Sequence, residues 1–212
     1  MYNIRVKTFS LPKADEKEIL RYAGSKEADA GLRALLSECL IESERAISPR
    51  ACYCELTKTD FYRLVDGAAQ SEGLKARLCG CDRVVLFAAS VGLETDRLME
   101  RYAKISPVKS LLFQAIGAER IECLCEVLCE GLKGEYGDVT ARFSAGYGDF
   151  PLSAQRDIFR LLDCPKKIGV SLTDGLLMTP TKSVTAVVGL GRSADERGCG
   201  ACDKRDCALR KE

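Results

Sequence analysis

The 212 residues amount to one large domain or two small ones, long enough to build a core without disulfides or metal. Lysine and arginine number 32 against 31 aspartates and glutamates, and a net charge of +1 argues against a general nucleic-acid binder. The chain has no histidine, which excludes Ser-His-Asp and Cys-His catalytic sets, HExxH zinc sites and any imidazole base.

Residues 2–9 alternate enough to be a strand, and Pro12 ends it. Asp15, followed by Glu18, opens a short helix that turns at Gly24. From Ser25 a longer pattern places Leu32, Leu35, Leu36, Cys39 and Leu40 at helical spacing, running to about Ile47 before Pro49 closes it. Residues 51–56 read as a strand and 74–78 as one or two helical turns. The continuous apolar run over 83–90 predicts a buried strand, and 94–102 an amphipathic helix that Pro107 terminates.

The pattern over 109–133 is the most legible in the chain. At 100° per residue, Glu119, Glu122, Glu126, Glu130 and Lys133 fall within an arc of about 80°. Ile121, Leu124, Cys125 and Leu128 fall opposite, and Ile116, Cys123 and Val127 widen the apolar sector. This predicts a central, mostly buried helix whose carboxylate edge faces water or a polar cleft, periodicity alone favouring water.

Beyond Gly134, residues 139–143 read as a strand and Gly146-Tyr147-Gly148-Asp149 as a turn, with Ser153 capping a helix to Leu162. Residues 176–178 and 183–190 read as a pair of strands joined through Thr179-Pro180-Thr181-Lys182. Helices and strands mix without regular βαβ spacing, so the expected class is α+β. No repeat or linker divides the chain, which gives a single unit over 1–192 followed by a cysteine-rich tail over 193–212.

The N-terminus lacks a signal-peptide core, and the longest apolar stretch, 84–93, is far short of the roughly 18 residues of a membrane span. The expected location is the cytoplasm, with no membrane partner. Most of the twelve cysteines then read as reduced, small apolar residues.

At Arg142 the sequence resembles a known family. Arg142-Phe143-Ser144-Ala145-Gly146-Tyr147, then Pro151 and a helix ending in Leu161-Leu162, is similar to the R-P-A-x-G-Y-P signature of the activation domain of cobalamin-dependent methionine synthase. The segment from Lys167 to Asp174, followed by Met178, Pro180, Ser183 and Val184, resembles that family's second conserved segment. Residues 115–129 resemble its glutamate-bearing helix, and 84–91 the strand before it, so the likeness spans roughly 80–192.

The resemblance implies helices packed around a long bent antiparallel sheet, and binding of S-adenosylmethionine. Arg142 is matched to the ligand carboxylate and Glu122 to its ammonium. Ala145, Gly146 and Tyr147 form the matched turn beside the ligand. It implies reductive methylation of inactive cob(II)alamin on a partner, a methionine synthase or related corrinoid protein, with an electron donor such as a flavodoxin or ferredoxin. Methyl transfer from a sulfonium to cobalt moves no proton, so the missing histidine is no obstacle. The sequence departs from the family after Tyr147, where Gly148-Asp149-Phe150-Pro151 follows, and a second ligand tyrosine has no counterpart beyond Gly191.

The tail adds Cys199-x2-Cys202-x4-Cys207 among Lys204, Arg205 and Arg210. Three thiolates suit zinc or an iron–sulfur cluster, the fourth ligand being Cys164, another cysteine or a partner residue. An oxidation-prone tail without metal is the simpler alternative. Two rival functions also stand: a noncatalytic module that docks on a corrinoid protein, and a small iron–sulfur or zinc protein using the same fold.

Overall fold

A computed structural model describes residues 2–25 and 27–191. Strand β1 (Arg5–Thr8) leads to α1 (Glu16–Tyr22), whose first N–H groups are capped by the Asp15 carboxylate. Helix α2 (Ala30–Ala46) follows, then β2 (Arg50–Thr57), α3 (Lys58–Leu64), α4 (Glu72–Arg77) and β3 (Arg83–Ser90). Helix α5 (Glu94–Ala103) precedes α6 (Pro107–Tyr136), which is 30 residues long. A 3-10 turn (Leu152–Ala154) introduces α7 (Gln155–Leu162) and α8 (Cys164–Ile168), and β4 (Ser171–Leu172), β5 (Met178–Thr179) and β6 (Ser183–Leu190) complete the chain.

Four strands form one antiparallel sheet in the order β1-β2-β3-β6. The expected α+β class is thus observed, with helices on both sheet faces. Strand β3 shows why its sequence reads as unbroken apolar residues. Val84, Leu86 and Ala88 pack one way, against Phe61 of α3, Leu74 of α4, and Ile158 and Leu162 of α7. Val85, Phe87 and Ala89 pack the other way, against Ile121, Leu124, Leu128 and Leu132 of α6. A strand covered on both faces cannot alternate in polarity.

A third cluster lies at the first half of α6, where Leu112, Phe113 and Ile116 meet Ile19 of α1, Leu36 of α2 and Leu98 of α5. Each such side chain, fully buried, stabilises the fold by about 1.5–3 kcal/mol relative to exposure. Glu119 and Arg120 sit at the junction, both buried and paired with each other. Arg120 also donates to the Pro12 carbonyl at 2.6 Å, and Glu119 accepts from the Asp15 N–H at 3.2 Å. The pair satisfies its own burial and fastens the β1–α1 connection to α6.

Several expectations are corrected. Helix α2 begins after Asp29, which caps Leu32 N–H at 2.8 Å, rather than at Ser25. Helix α3 went unread because only seven residues follow β2 directly, through the Thr57 cap. Helix α5 ends at Ala103 with Lys104 as its cap, ahead of Pro107, which instead opens the first turn of α6, where its missing N–H costs nothing. Ser153 lies inside the 3-10 turn and caps nothing; α7 begins two residues later. Residues 139–143 form no strand and touch the sheet at two isolated bridges, Val139 to Leu190 and Phe143 to Val187. Strand β5 pairs with β4, and β6 joins β3 instead of its sequence neighbour.

Helix α6 passes α5 and the start of β6 at Gly117. An added Cβ there would lie 2.7 Å from Thr95 Cγ2 and 2.9 Å from Lys182 Cγ. Helix propensity alone favours Gly117→Ala by roughly 1 kcal/mol. The close approach reverses that, so the variant is expected to lose about 1–3 kcal/mol in urea unfolding. Stabilisation instead would show that the helices are free to separate.

Candidate functional site

Glu122 projects from the middle of α6, where Ile121 and Leu124 on either side are pressed into the sheet. Arg142 sits between the two bridges that hold residues 139–143 against β6. The backbone is fixed there by Phe143, which exchanges hydrogen bonds with Val187 at 3.0 and 2.9 Å. These two constraints bring the guanidinium to the carboxylate: Arg142 Nη2 donates to Glu122 Oε2 at 2.9 Å. The side chains are 26% and 37% exposed, so the pair is neither sealed nor free in water.

Cys125, one turn after Glu122, completes the surroundings of Arg142. Its thiol is hydrogen-bonded to the guanidinium, and burial pushes its pKa up to about 12 despite that neighbour. Burial likewise raises Cys129 to about 11. Both are therefore neutral thiols at physiological pH. Burial opposes the charge on Arg142, yet the charges of Cys125, once its thiol ionises at high pH, and of Glu122 outweigh it and hold the guanidinium above its ordinary value. An arginine so placed stays a cation under all working conditions.

The segment then turns. Ala145 is buried in the core, and Gly146 adopts φ +88°, a conformation that glycine takes without penalty. Gly146 N–H donates to the Phe150 carbonyl at 2.8 Å, closing the turn. Tyr147 is 49% exposed, its ring edge-on to Phe143 at 5.7 Å. Phe143 belongs to the core on the far side of the sheet from α6. The structure thus joins Glu122 to Arg142 directly and places Ala145, Gly146 and Tyr147 on the adjoining turn, with the Tyr147 ring turned toward Phe143.

Two residues escaped the sequence reading. Cys125 is signalled only by its spacing of three from Glu122, which puts it on a neighbouring part of the helix. Asp149 stands where the sequence departs from the expected motif, and it has its own work. It accepts from Ser71 Oγ at 2.5 Å and from Glu72 N–H at 2.6 Å, and so ties the turn to the start of α4. The carboxylate edge of α6 also differs from expectation: Glu119 is buried and Glu122 half-buried, while Glu126 and Glu130 are exposed. Cys52, Cys54 and Cys125 are buried as apolar residues, as read, whereas Cys123 and Cys129 are half-buried. Cys199, Cys202 and Cys207 lie outside the described residues.

The family model for the vitamin B12-dependent methionine synthase activation domain matches residues 74–211, well over half the chain. The chain belongs to that family. Among solved structures, a crystal structure of the MetH reactivation domain bound to AdoHcy superposes with a TM-score of 0.62. The likeness covers 91% of this chain and 80% of that one at 16% identity, which establishes a shared fold. A comparison with curated proteins returns no match.

Hydrogen bonds from Ser71, Glu72 and Gly73 hold the Asp149 carboxyl below its ordinary range. A lowered folded-state pKa means stability that is present above the unfolded value of about 3.9 and is lost as pH falls through the folded one. Asp149→Asn is therefore expected to lower the urea midpoint at neutral pH, and the gap to the wild type to close below about pH 4. A gap that stays constant with pH would mean that the carboxylate charge is not what anchors the turn.

Proposed function

We propose that the protein is a reactivation component for a cobalamin-dependent methyltransferase, foremost methionine synthase, and that it binds S-adenosylmethionine at the Arg142–Glu122 pair. The observation that carries this reading is the pair itself, a guanidinium and a carboxylate 2.9 Å apart and partly open to solvent. An amino-acid end is a carboxylate and an ammonium a few ångströms apart, the mirror image of that pair. Entry of such a zwitterion exchanges one ion pair for two, with Arg142 taking the carboxylate and Glu122 the ammonium. A partly exposed pair is worth roughly 1 kcal/mol, so opening it costs little.

Family membership supports the activation role. The solved MetH reactivation domain carries AdoHcy, the thioether that remains once S-adenosylmethionine has lost its methyl group. Held here, S-adenosylmethionine would supply a methyl group to the cobalamin of a partner corrinoid protein, with a flavodoxin or ferredoxin supplying the electron. This chain's residues bind and orient. Arg142 and Glu122 fix the amino-acid end, while Gly146 lets the backbone come close, and Tyr147 offers an exposed ring beside it. Methyl transfer moves no proton, so the Glu122 carboxylate serves binding and not base catalysis.

The surroundings fit a reducing compartment, with nine described cysteines all present as thiols. Among the described residues, no helix is long and apolar enough to cross a membrane. We place the protein in the cytoplasm, beside the corrinoid protein it serves.

Calorimetric titration with S-adenosylmethionine tests this reading. Saturable binding is expected, weakened roughly tenfold or more by Arg142→Ala and by Glu122→Gln, since each removes a charged hydrogen bond. Binding that is indifferent to both changes would move the site elsewhere. No binding at all, with a corrinoid protein still captured, would favour a docking module over a methyl-transfer component.

A further inference from the structure

Beside the β1–α1 connection lies a cavity of about 410 Å³ that the Arg142–Glu122 site does not use. The segment from Phe9 to Ala14 forms one wall, the end of α2 with Pro49 a second, and Ile116 and Arg120 of α6 a third. The cavity and the proposed binding pair lie on opposite flanks of α6. Gly131 falls on the Arg120 side of the helix, where an added Cβ would lie 4.0 Å from Lys7 Nζ of β1. Glu122 lies about 200° round the helix from Arg120 and meets Arg142 beside β6. The volume is ordinary for a small-molecule site, for which roughly 300–1,000 Å³ is usual.

The lining combines apolar walls with two polar groups whose hydrogen bonds are not used up. Phe9, Leu40, Ile47 and Ile116 supply the walls. Arg120 is 5% exposed; its Nε and Nη2 donate to Glu119 and its Nη1 to the Pro12 carbonyl at 2.6 Å. A guanidinium carries five N–H groups, so two remain without an acceptor among the described residues. Ser43 is also 5% exposed, and its hydroxyl has no hydrogen-bond partner among the described residues. Covered polar groups left unpaired are costly, and a ligand that brings an acceptor to them recovers that cost.

Charge narrows the class of ligand. Arg120 is already neutralised by Glu119, while Lys13 and Glu44, both exposed, offset each other at the mouth. A carboxylate brought inside would lose its hydration and meet no uncompensated cation. A neutral oxygen can instead take the spare N–H groups of Arg120 and the Ser43 hydroxyl, whose hydrogen rotates to suit. We propose that this cavity is a second small-molecule site, taking an uncharged apolar compound that ends in a carbonyl or amide oxygen.

The test titrates the isotope-labelled full chain with benzamide in two-dimensional NMR, following the Arg120 Nε–H and the backbone amides of Phe9, Ser43 and Ile47. Saturable shifts are expected at these signals. Toluene, which lacks the oxygen, and benzoate, which adds a charge, should each bind roughly threefold or more weakly. Ser43→Ala should weaken benzamide roughly threefold, and Ser43→Leu, which puts an isobutyl group into the cavity, should abolish the shifts. The urea midpoint and the dispersion of the amide spectrum report whether each variant folds. No saturable shift with benzamide would overturn the site, and shifts that survive both Ser43 changes undiminished would overturn its location. Toluene binding as tightly as benzamide would overturn the polar recognition, and benzoate binding more tightly would overturn the uncharged class.

Discussion

Thirty residues of α6 have to satisfy three helices and the sheet at once, and the rest of the molecule is arranged around that demand. The first half is enclosed by α1, α2 and α5, and the second lies across the sheet on β3 and β6. Neither half can rotate without unseating the other, because a helix is a rigid rod whose side chains keep a fixed angular order. Glu122 stands just past the point where the two packing regimes meet. Its direction is therefore set by Phe113, Ile116, Leu124 and Leu128, none of which has any chemistry to offer.

Arg142 is positioned by a different device. Two bridges to β6, at Val139 and Phe143, pin a segment too short and irregular to be a strand. Side chains along it still alternate: Phe143 enters one core, while Arg142 turns to α6 on the other side. The sheet thus holds both halves of the ion pair, one through the helix laid on its face and the other through the segment bridged to β6. A pair supported this way is held in one place by the fold on both sides.

How much of this the sequence discloses depends on the range of the interactions. The α5 and α6 helices, β2, β3 and β6 announce themselves because their apolar periodicity is local and strong. The partners of β6 and β5 do not, since pairing is decided by the closing of the whole sheet. Residues 139–143 have strand-like polarity but make only two bridges, a distinction no local pattern carries. Glu122 and Arg142 were visible only through family resemblance, for on periodicity alone Glu122 is one of five polar residues on an edge. Their 2.9 Å contact, the burial of Glu119 against Arg120, and the use of Asp149 to hold α4 are products of tertiary packing. The last of these also explains the departure after Tyr147: the changed residue serves the turn's attachment.

The central claim is that Arg142 receives the carboxylate of the amino-acid end of the ligand, and a ligand lacking only that group tests it most directly. Decarboxylated S-adenosylmethionine keeps the sulfonium, the adenine and the ammonium. Its affinity should fall roughly tenfold or more below that of S-adenosylmethionine in the wild type, and the two ligands should bind Arg142→Ala alike. Equal affinity of the two ligands for the wild type, or an undiminished difference in Arg142→Ala, would contradict the account.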